Sequence, residues 1–173
     1  SMDLSILQWI QGNLRCTVLD TVMPAVTALG NGGVLWLALA AALLLRPQTR
    51  RTGWMLLGAL ALETVCCNLL LKPLVARPRP FALEPGVQLL ITPPGDFSFP
   101  SGHTAAGFAA VSALYFGKSR LWLPALAAAV LIAFSRLYLY VHYPTDVLAG
   151  AVLGAACGWA VRAAAKRMRR PAG

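Results

Sequence analysis

Runs of about twenty apolar residues dominate this sequence and limit the folds open to it. An α-helix needs roughly 20 residues to cross the hydrocarbon core of a bilayer, and the runs at 52–71, 121–141 and 144–165 meet that length. Hydrophobic residues make up 58% of the 173 residues and charged residues 12%, a balance that a small soluble protein has no interior to bury. We therefore predict an all-α integral membrane bundle.

The remaining apolar segments bring the predicted number of transmembrane helices to about six. Residues 102–116 are a shorter fourth span, and residues 14–45 are long enough for two short spans separated by the turn-forming "GNGG" at 30–33. The spacing of Leu4, Ile6, Leu7 and Ile10 predicts an amphipathic interfacial helix over 1–13. This segment lacks a basic start and a small-residue cleavage site, so we expect no signal peptide. The whole chain, 1–173, is expected to be one domain.

The positions of the basic residues predict the orientation of the bundle. Ten of the fifteen lysines and arginines fall in three clusters, Arg46, Arg50, Arg51, Lys118, Arg120, Arg162, Lys166, Arg167, Arg169 and Arg170. With six spans these clusters share one side of the membrane, which the positive-inside rule makes cytoplasmic, and Arg15 is expected on that side too. The net charge of +9 is accounted for by topology and attraction to anionic lipids, so we expect a bilayer partner and no nucleic acid.

Four cations lie toward the opposite side, where they require an anionic partner. They are Lys72, Arg77, Arg79 and Arg136. An ionised side chain within an apolar span is costly unless it meets a counter-charge or water, and the prolines around Arg79 stiffen its loop. Ser101 and Gly102 open the next helix, whose free N–H groups favour anions. Together these groups predict a phosphate cradle.

The two histidines of the chain fall beside this cradle. His103 is in the first turn of the span that begins at Gly102, and His142 lies at the outer end of its span with Asp146 four residues later. A neutral imidazole oriented by a carboxylate is a competent nucleophile toward phosphorus, and a protonated one can donate to a leaving oxygen. Two histidines, one aspartate and the cations suffice for phosphoryl transfer with no metal and no cofactor. The spacing leaves open which histidine does which.

Three motifs resemble those of the type 2 phosphatidic acid phosphatase (PAP2) family of membrane lipid phosphatases. They are "KPLVARPRP" at 72–80, "PSGH" at 100–103 and "SRLYLYVHYPTD" at 135–146, all complete, in order and correctly spaced. The motif region therefore spans 72–146.

The resemblance implies a role for each motif residue. His142 would attack phosphorus and form a phosphohistidine, Asp146 would orient it, and His103 would protonate the departing oxygen. The residues implied to hold the phosphate are Lys72, Arg79, Ser101, Gly102 and Arg136. Arg77 is not a motif position and has no implied role.

Three other classes of protein share part of this pattern. A two-metal phosphatase needs clustered carboxylates, whereas the six acidic residues are scattered along the chain. Vanadate-dependent haloperoxidases share the motifs, but they are large and soluble. A non-enzymatic protein that binds or moves an anionic lipid stays open, although it leaves His142 and Asp146 unexplained.

The expected substrate is a lipid phosphate in the outer leaflet of a bacterial cytoplasmic membrane, with the site on the extracytoplasmic side. Undecaprenyl pyrophosphate is the first choice, because the minimal six-span form resembles bacterial enzymes with that task. Phosphatidylglycerophosphate and phosphatidic acid follow, and the sequence leaves the oligomeric state open.

The polar residues elsewhere in the apolar runs are consistent with two roles. Asp20, Glu63 and Asn68 either line the site or make interhelical hydrogen bonds. The four cysteines lie in predicted helices, and we expect no disulfide framework.

Overall fold

The computed structural model describes residues 1–168, and every regular element in that range is helical. The helices are α1 Met2–Asn13, α2 Thr17–Leu29, α3 Val34–Leu44, α4 Arg50–Thr64, α5 Lys72–Val75, α6 Pro80–Leu83, α7 Gly102–Phe116, α8 Trp122–Tyr138 and α9 Pro144–Arg167. A 3₁₀ turn at Asn31–Gly33 joins α2 to α3, and a π-helical segment at Val65–Leu71 joins α4 to α5. The predicted all-α class is confirmed.

Two stretches are long and apolar enough to cross a membrane on their own. They are Arg50–Leu83, which contains α4 to α6, and α9. Helix α8 is apolar but shorter, and α7 occupies the middle of the bundle, where it packs against α4, α8 and α9. Because neighbouring helices cover α7 on several sides, much of its surface is buried by protein. The chain is an integral membrane protein.

Helices α2 and α3 form one bent passage, so the prediction of two spans over residues 14–45 is wrong. Their axes differ by 47°. The N–H of Cys16 hydrogen bonds the hydroxyl of Tyr138 at one end of the bundle, and Leu44 lies beside Gly53 at the other. Gly32 and Gly33 have positive φ values of 58° and 69°, which bend the chain without reversing it. The bundle therefore has five helical passages within the described residues instead of six.

The lower number of passages also corrects the position of Arg15. With one passage between α1 and α4, Arg15 lies at the same end as the motif residues, where its Nε is 3.2 Å from Asp20. The basic clusters around residues 46–51, 118–120 and 162–167 remain together at the opposite end, where α3 meets α4, α7 meets α8, and α9 ends. Arg169 and Arg170 of the last cluster lie outside the described residues.

The close contact between α7 and α9 sets the register of the motif residues. Gly150, Gly154 and Gly158 follow one face of α9 against α7, and a Cβ at Gly150 would lie 2.6 Å from the carbonyl oxygen of Ser101. Only glycine permits this approach. The backbone N–H of Ser101 consequently donates to the carbonyl oxygen of Asp146 at 3.1 Å, which joins the second motif to the third.

Helix α1 lies across the motif end of the bundle. Leu7 and Ile10 are buried against the aromatic and aliphatic residues that follow α8. Met2, Ile6 and Trp9 expose their side chains. A helix with one face on protein and apolar groups on the other is suited to a membrane surface, and the interfacial placement of residues 1–13 stays a prediction.

Candidate active site

The motif residues surround a cavity of about 560 Å³ at the end of the bundle where α1 lies. The titratable side chains that line this cavity, which we call the phosphate cavity, are Lys72, Arg79, Asp96, His103, Arg136 and His142. They come from three stretches far apart in sequence, at 72–79, 96–103 and 136–142. The structure therefore brings together the three motifs, as predicted.

Local backbone features aim the two cations of the first motif at the cavity. Lys72 begins α5 directly after the π-helical segment, and such segments are frequent at functional sites. Ala76, at φ 48°, ends that helix, and Arg79 is extended before Pro80, as residues before proline usually are. The chain therefore turns back, and Lys72 and Arg79 are both buried beside the cavity.

Arg79 determines which ring nitrogen of His142, the histidine that follows α8, carries no proton. Its Nη1 donates to the carbonyl oxygen of Val141 at 2.6 Å and lies 3.2 Å from Nε2 of His142. A guanidinium has only donors, so Nε2 must offer its lone pair in this contact. Burial lowers the pKa of His142, which keeps the imidazole neutral, although the hydrogen bond to Asp146 acts in the opposite sense.

Asp146 holds the other side of the same ring. Nδ1 of His142 is 3.4 Å from Oδ2 of Asp146, so the ring carries its proton on Nδ1 and directs it to the carboxylate. The same oxygen accepts the backbone N–H of Tyr143 at 2.9 Å and the hydroxyl of Ser98 at 2.5 Å. Pro144 begins α9 and Asp146 completes its capping box, which explains how the pair meets across a turn, as predicted.

His103 faces the cavity from the first turn of α7. Its Nε2 is 2.9 Å from Oδ1 of Asn31, in the 3₁₀ turn between α2 and α3. With that oxygen as acceptor, His103 carries a proton on Nε2. Sequence reasoning missed Asn31, because "GNGG" was read only as a turn.

Arg136 and Gly102 line the cavity, whereas Ser101 does not. Nη1 of Arg136 donates to Thr27 Oγ1 at 2.7 Å, and its buried Nε has no partner within residues 1–168. The hydroxyl of Ser101 instead accepts from Thr104 as the N-cap of α7. Direct contact between Ser101 and a phosphate therefore stays a prediction.

Asp96 is a site residue that sequence reasoning missed. Its carboxylate pairs with Lys72 and lies 2.6 Å from Nη2 of Arg79, while its carbonyl oxygen accepts from Nε of Arg79 at 2.8 Å. Partial burial raises the pKa of Asp96, but the hydrogen bond and charge of Lys72, with the charge of Arg79, bring it down to about 2. The carboxylate of Asp96 is therefore already paired with Lys72 and Arg79 in this structure. Asp96 lies in the irregular stretch before α7, and no local pattern in the sequence singled it out.

A second and more apolar cavity of about 790 Å³ adjoins the first between α3, α4 and α7. Lys72, Asp96, Gly102 and His103 line both. We call it the apolar cavity. Glu63 and Asn68 line it too, whereas Asp20 pairs with Arg15 and the hydroxyl of Tyr138. Two of the three polar residues of uncertain role therefore adjoin the site.

The site combines a neutral histidine whose Nε2 faces Arg79, two further cations and a second histidine in the phosphate cavity, and an adjoining apolar cavity, inside a helical membrane bundle. These features define an integral membrane phosphatase. The sequence matches the PAP2 superfamily over residues 52–170, and the chain belongs to that family.

Known proteins similar to this chain include membrane phosphatases of the same kind. It is 35% identical over 121 residues to the undecaprenyl-diphosphatase of Sulfolobus acidocaldarius, a match covering 69% of this chain and 58% of that protein. It is 30% identical over 159 residues to undecaprenyl-diphosphatase BcrC of Bacillus subtilis, covering 91% and 81%. The crystal structure of Aquifex aeolicus LpxE superposes with a TM-score of 0.80 at 32% identity, covering 93% and 94%. The predicted family is confirmed.

Proposed function

We propose that this phosphatase hydrolyses a lipid diphosphate, undecaprenyl pyrophosphate in the first instance, through a phosphohistidine on His142. The observation that carries the proposal is the orientation of His142, whose Nε2 faces Arg79 while Nδ1 faces Asp146. That arrangement presents the lone pair of a neutral imidazole to an anion held by the cations of the phosphate cavity.

In the first step, Nε2 of His142 attacks the terminal phosphorus and the bond to the bridging oxygen breaks. Lys72, Arg79 and Arg136 stabilise the charge on the transferring phosphoryl group, which is the main contribution proteins make to such transfers. As positive charge develops on the ring, Asp146 stabilises it through Nδ1. His103 enters this step as an imidazolium, donates one proton to the departing oxygen and becomes neutral. The products are the phosphohistidine and the lipid monophosphate.

In the second step, water attacks the phosphorus of the phosphohistidine and the P–N bond breaks. His103, now without its proton, accepts one from that water, which restores it for the next cycle. Inorganic phosphate leaves and Nε2 of His142 regains its lone pair. None of these steps requires a metal ion, and the metal-free chemistry is part of the proposal.

The two cavities support a substrate with a phosphorylated head and a long apolar tail. Lys72 and His103 stand at the boundary between them, so a diphosphate in the phosphate cavity has its lipid end beside Leu37, Leu57 and Leu60 of the apolar cavity. The two relatives named as undecaprenyl-diphosphatases favour a polyprenyl tail. Phosphatidylglycerophosphate and phosphatidic acid are the alternative substrates. Their phosphate would be removed by the same two steps from a different lipid head group.

The decisive experiment compares the purified wild type with His142→Ala on undecaprenyl pyrophosphate, phosphatidylglycerophosphate and phosphatidic acid. We expect the wild type to release phosphate fastest from the diphosphate and the variant to release none. A ³²P-labelled substrate quenched in alkali should leave label on the wild type only. Retained turnover in His142→Ala would overturn the nucleophile, and lipid binding without turnover by the wild type would favour the non-enzymatic alternative.

We further propose that the site faces the outside of a bacterial cytoplasmic membrane. The support is the cluster of basic residues at the opposite end of the bundle. After replacement of the four cysteines, a cysteine at the exposed Gln88 should react with an impermeant maleimide in intact cells, and one at the exposed Gln48 only after lysis. The reverse pattern would invert the orientation and remove the outer-leaflet lipid from consideration.

A further inference from the structure

Arg77 has no part in the mechanism above, yet it contacts the catalytic carboxylate. Its Nη1 donates to Oδ1 of Asp146 at 2.6 Å, and its Nη2 donates to Oδ2 of Asp3 at 2.8 Å. The guanidinium also lies over the ring of Tyr143, 3.7 Å from its centre. A planar group held at both ends and across one face has little freedom to move, so Arg77 is a fixed bridge between α1 and α9.

The bridge determines how the Asp146 carboxylate is rotated. Oδ1 is held by Arg77, whereas Oδ2 is the oxygen that faces Nδ1 of His142 and accepts from Ser98. Asp146 is fully buried, so no water can replace a lost partner at low cost. Without Arg77, Oδ1 loses its charged partner, and the contacts of Oδ2 with Ser98 and the N–H of Tyr143 are left to hold the carboxylate that orients His142.

Asp3 supplies the charge that this bridge requires. An arginine in contact with Asp146 alone would neutralise the carboxylate that has to stabilise a positive imidazole. Asp3 accepts from Arg77 and from both the N–H and the hydroxyl of Thr145. Although burial raises the pKa of Asp3, these hydrogen bonds lower it overall, so Asp3 is ionised at neutral pH. The Asp3–Arg77–Asp146 chain therefore keeps a net charge of −1 beside His142.

We propose that Arg77 and Asp3 are positioning residues for the nucleophile, and that α1 is in this way part of the catalytic apparatus. The inference rests on the proposed function of His142. Arg77 acts through Asp146, and Asp3 acts through Arg77, so neither touches the substrate. Their loss should lower the rate of the chemical step and leave substrate binding nearly unchanged.

The chain offers a matched control for this inference. A second polar link ties α1 to the same end of the bundle, because Gln8 donates to Glu84 at 2.9 Å and the hydroxyl of Tyr140 donates to the other oxygen of Glu84 at 2.5 Å. Among the described residues, the side chains of this link make no hydrogen bond to His142 or Asp146. Glu84→Gln therefore makes the same carboxylate-to-amide change as Asp3→Asn and weakens the attachment of α1 without touching the chain of Asp3, Arg77 and Asp146.

The test measures kcat and KM for undecaprenyl pyrophosphate with the wild type, Asp3→Asn, Arg77→Gln, the double variant and Glu84→Gln. We expect kcat to fall about 10- to 100-fold in both single variants, with KM within about threefold, because a misplacement of about 1 Å costs up to this much. The double variant should be no slower than Arg77→Gln, since Asp3 acts through Arg77. Arg77→Lys, which retains the charge, should recover part of the rate, and Glu84→Gln should match the wild type.

Three results would overturn the inference. They are an unchanged kcat in Asp3→Asn and Arg77→Gln, additive losses in the double variant, or an equal loss in Glu84→Gln, which would reduce α1 to a structural element. Thermal unfolding of each variant in detergent identifies a folding defect. If Arg77→Gln unfolds at a lower temperature than the wild type, the kcat values of Asp3→Asn and Glu84→Gln are compared instead to test the inference. Turnover by the wild type and its loss in His142→Ala test the proposed function separately in the same assay.

Discussion

Asp96→Asn should increase the affinity of the phosphate cavity for anions. In the free protein the carboxylate of Asp96 pairs with Lys72 and Arg79, the two cations that the proposed mechanism gives to the phosphoryl group. Any phosphate has to displace it. Asparagine keeps the shape of the side chain and leaves the hydrogen bond from Arg79 Nε to the backbone oxygen of residue 96 in place, but it removes the competing charge.

The expected size of the effect follows from the exposure of the ion pairs. The side chain of Asp96 is 52% exposed, so each pair belongs to the class of partly solvated salt bridges worth about 0.2–1 kcal/mol. Two such pairs give about 0.4–2 kcal/mol, which corresponds to roughly 2- to 30-fold in a dissociation constant. Because the pKa of Asp96 is about 2, the carboxylate stays ionised under ordinary assay conditions, and the ratio between variant and wild type should not change from about pH 5 to about pH 8.

The assay is competitive inhibition by orthovanadate, whose trigonal-bipyramidal complexes resemble the transition state of phosphoryl transfer. The inhibition constant of Asp96→Asn should be roughly 2- to 30-fold below that of the wild type. Asp20→Asn is the control, because it removes one negative charge at the same end of the bundle from a residue outside the cavity lining. An equal change in both variants would assign the effect to net charge, and an unchanged or higher constant in Asp96→Asn would refute competition by Asp96.

Three further predictions test the remaining parts of the reasoning. His103→Ala should lower kcat much less for p-nitrophenyl phosphate than for an alkyl phosphate, since an acidic leaving group needs no proton; equal losses would exclude leaving-group protonation. Activity should survive EDTA, because cationic side chains supply the positive charge, and complete loss restored by Mg²⁺ would contradict this. Gly154→Ala places a Cβ against the carbonyl oxygen of Ala105 and should cost about 1–3 kcal/mol in detergent unfolding assays, whereas Gly12→Ala, with open space around it, should not.

The sequence predicted that the motif residues lie together, and rigid local features explain why they do. Pro144 and the four-residue spacing bring His142 and Asp146 together across a helix start, and Pro80 turns Arg79 back toward Lys72. These are short-range effects of backbone geometry that any chain with the same residues repeats. The motif pattern therefore predicted which side chains meet in the phosphate cavity.

The sequence did not predict features that depend on long-range packing. Glycines at 30–33 permit both a reversal and a 47° bend, and the choice is made by the packing of α2 against α8 and of α3 against α4. Asp96 and Arg77 find their partners across loops with no periodic pattern, so nothing in their local sequence indicated the contacts. Ser101, which the motif resemblance implies to bind phosphate, has its hydroxyl engaged in capping α7, so its contact with phosphate stays a prediction.

The bend at Gly32 and Gly33 affects how the protein should be handled. A single bent passage leaves α1 and the end of α9 at opposite ends of the bundle. A purification tag joined to α1 is therefore attached to the helix that carries Asp3, which Arg77 links to Asp146, whereas a tag at the α9 end is attached at the other end of the bundle. Kinetic constants from N-terminally and C-terminally tagged preparations should accordingly be compared before either is taken to represent the untagged enzyme.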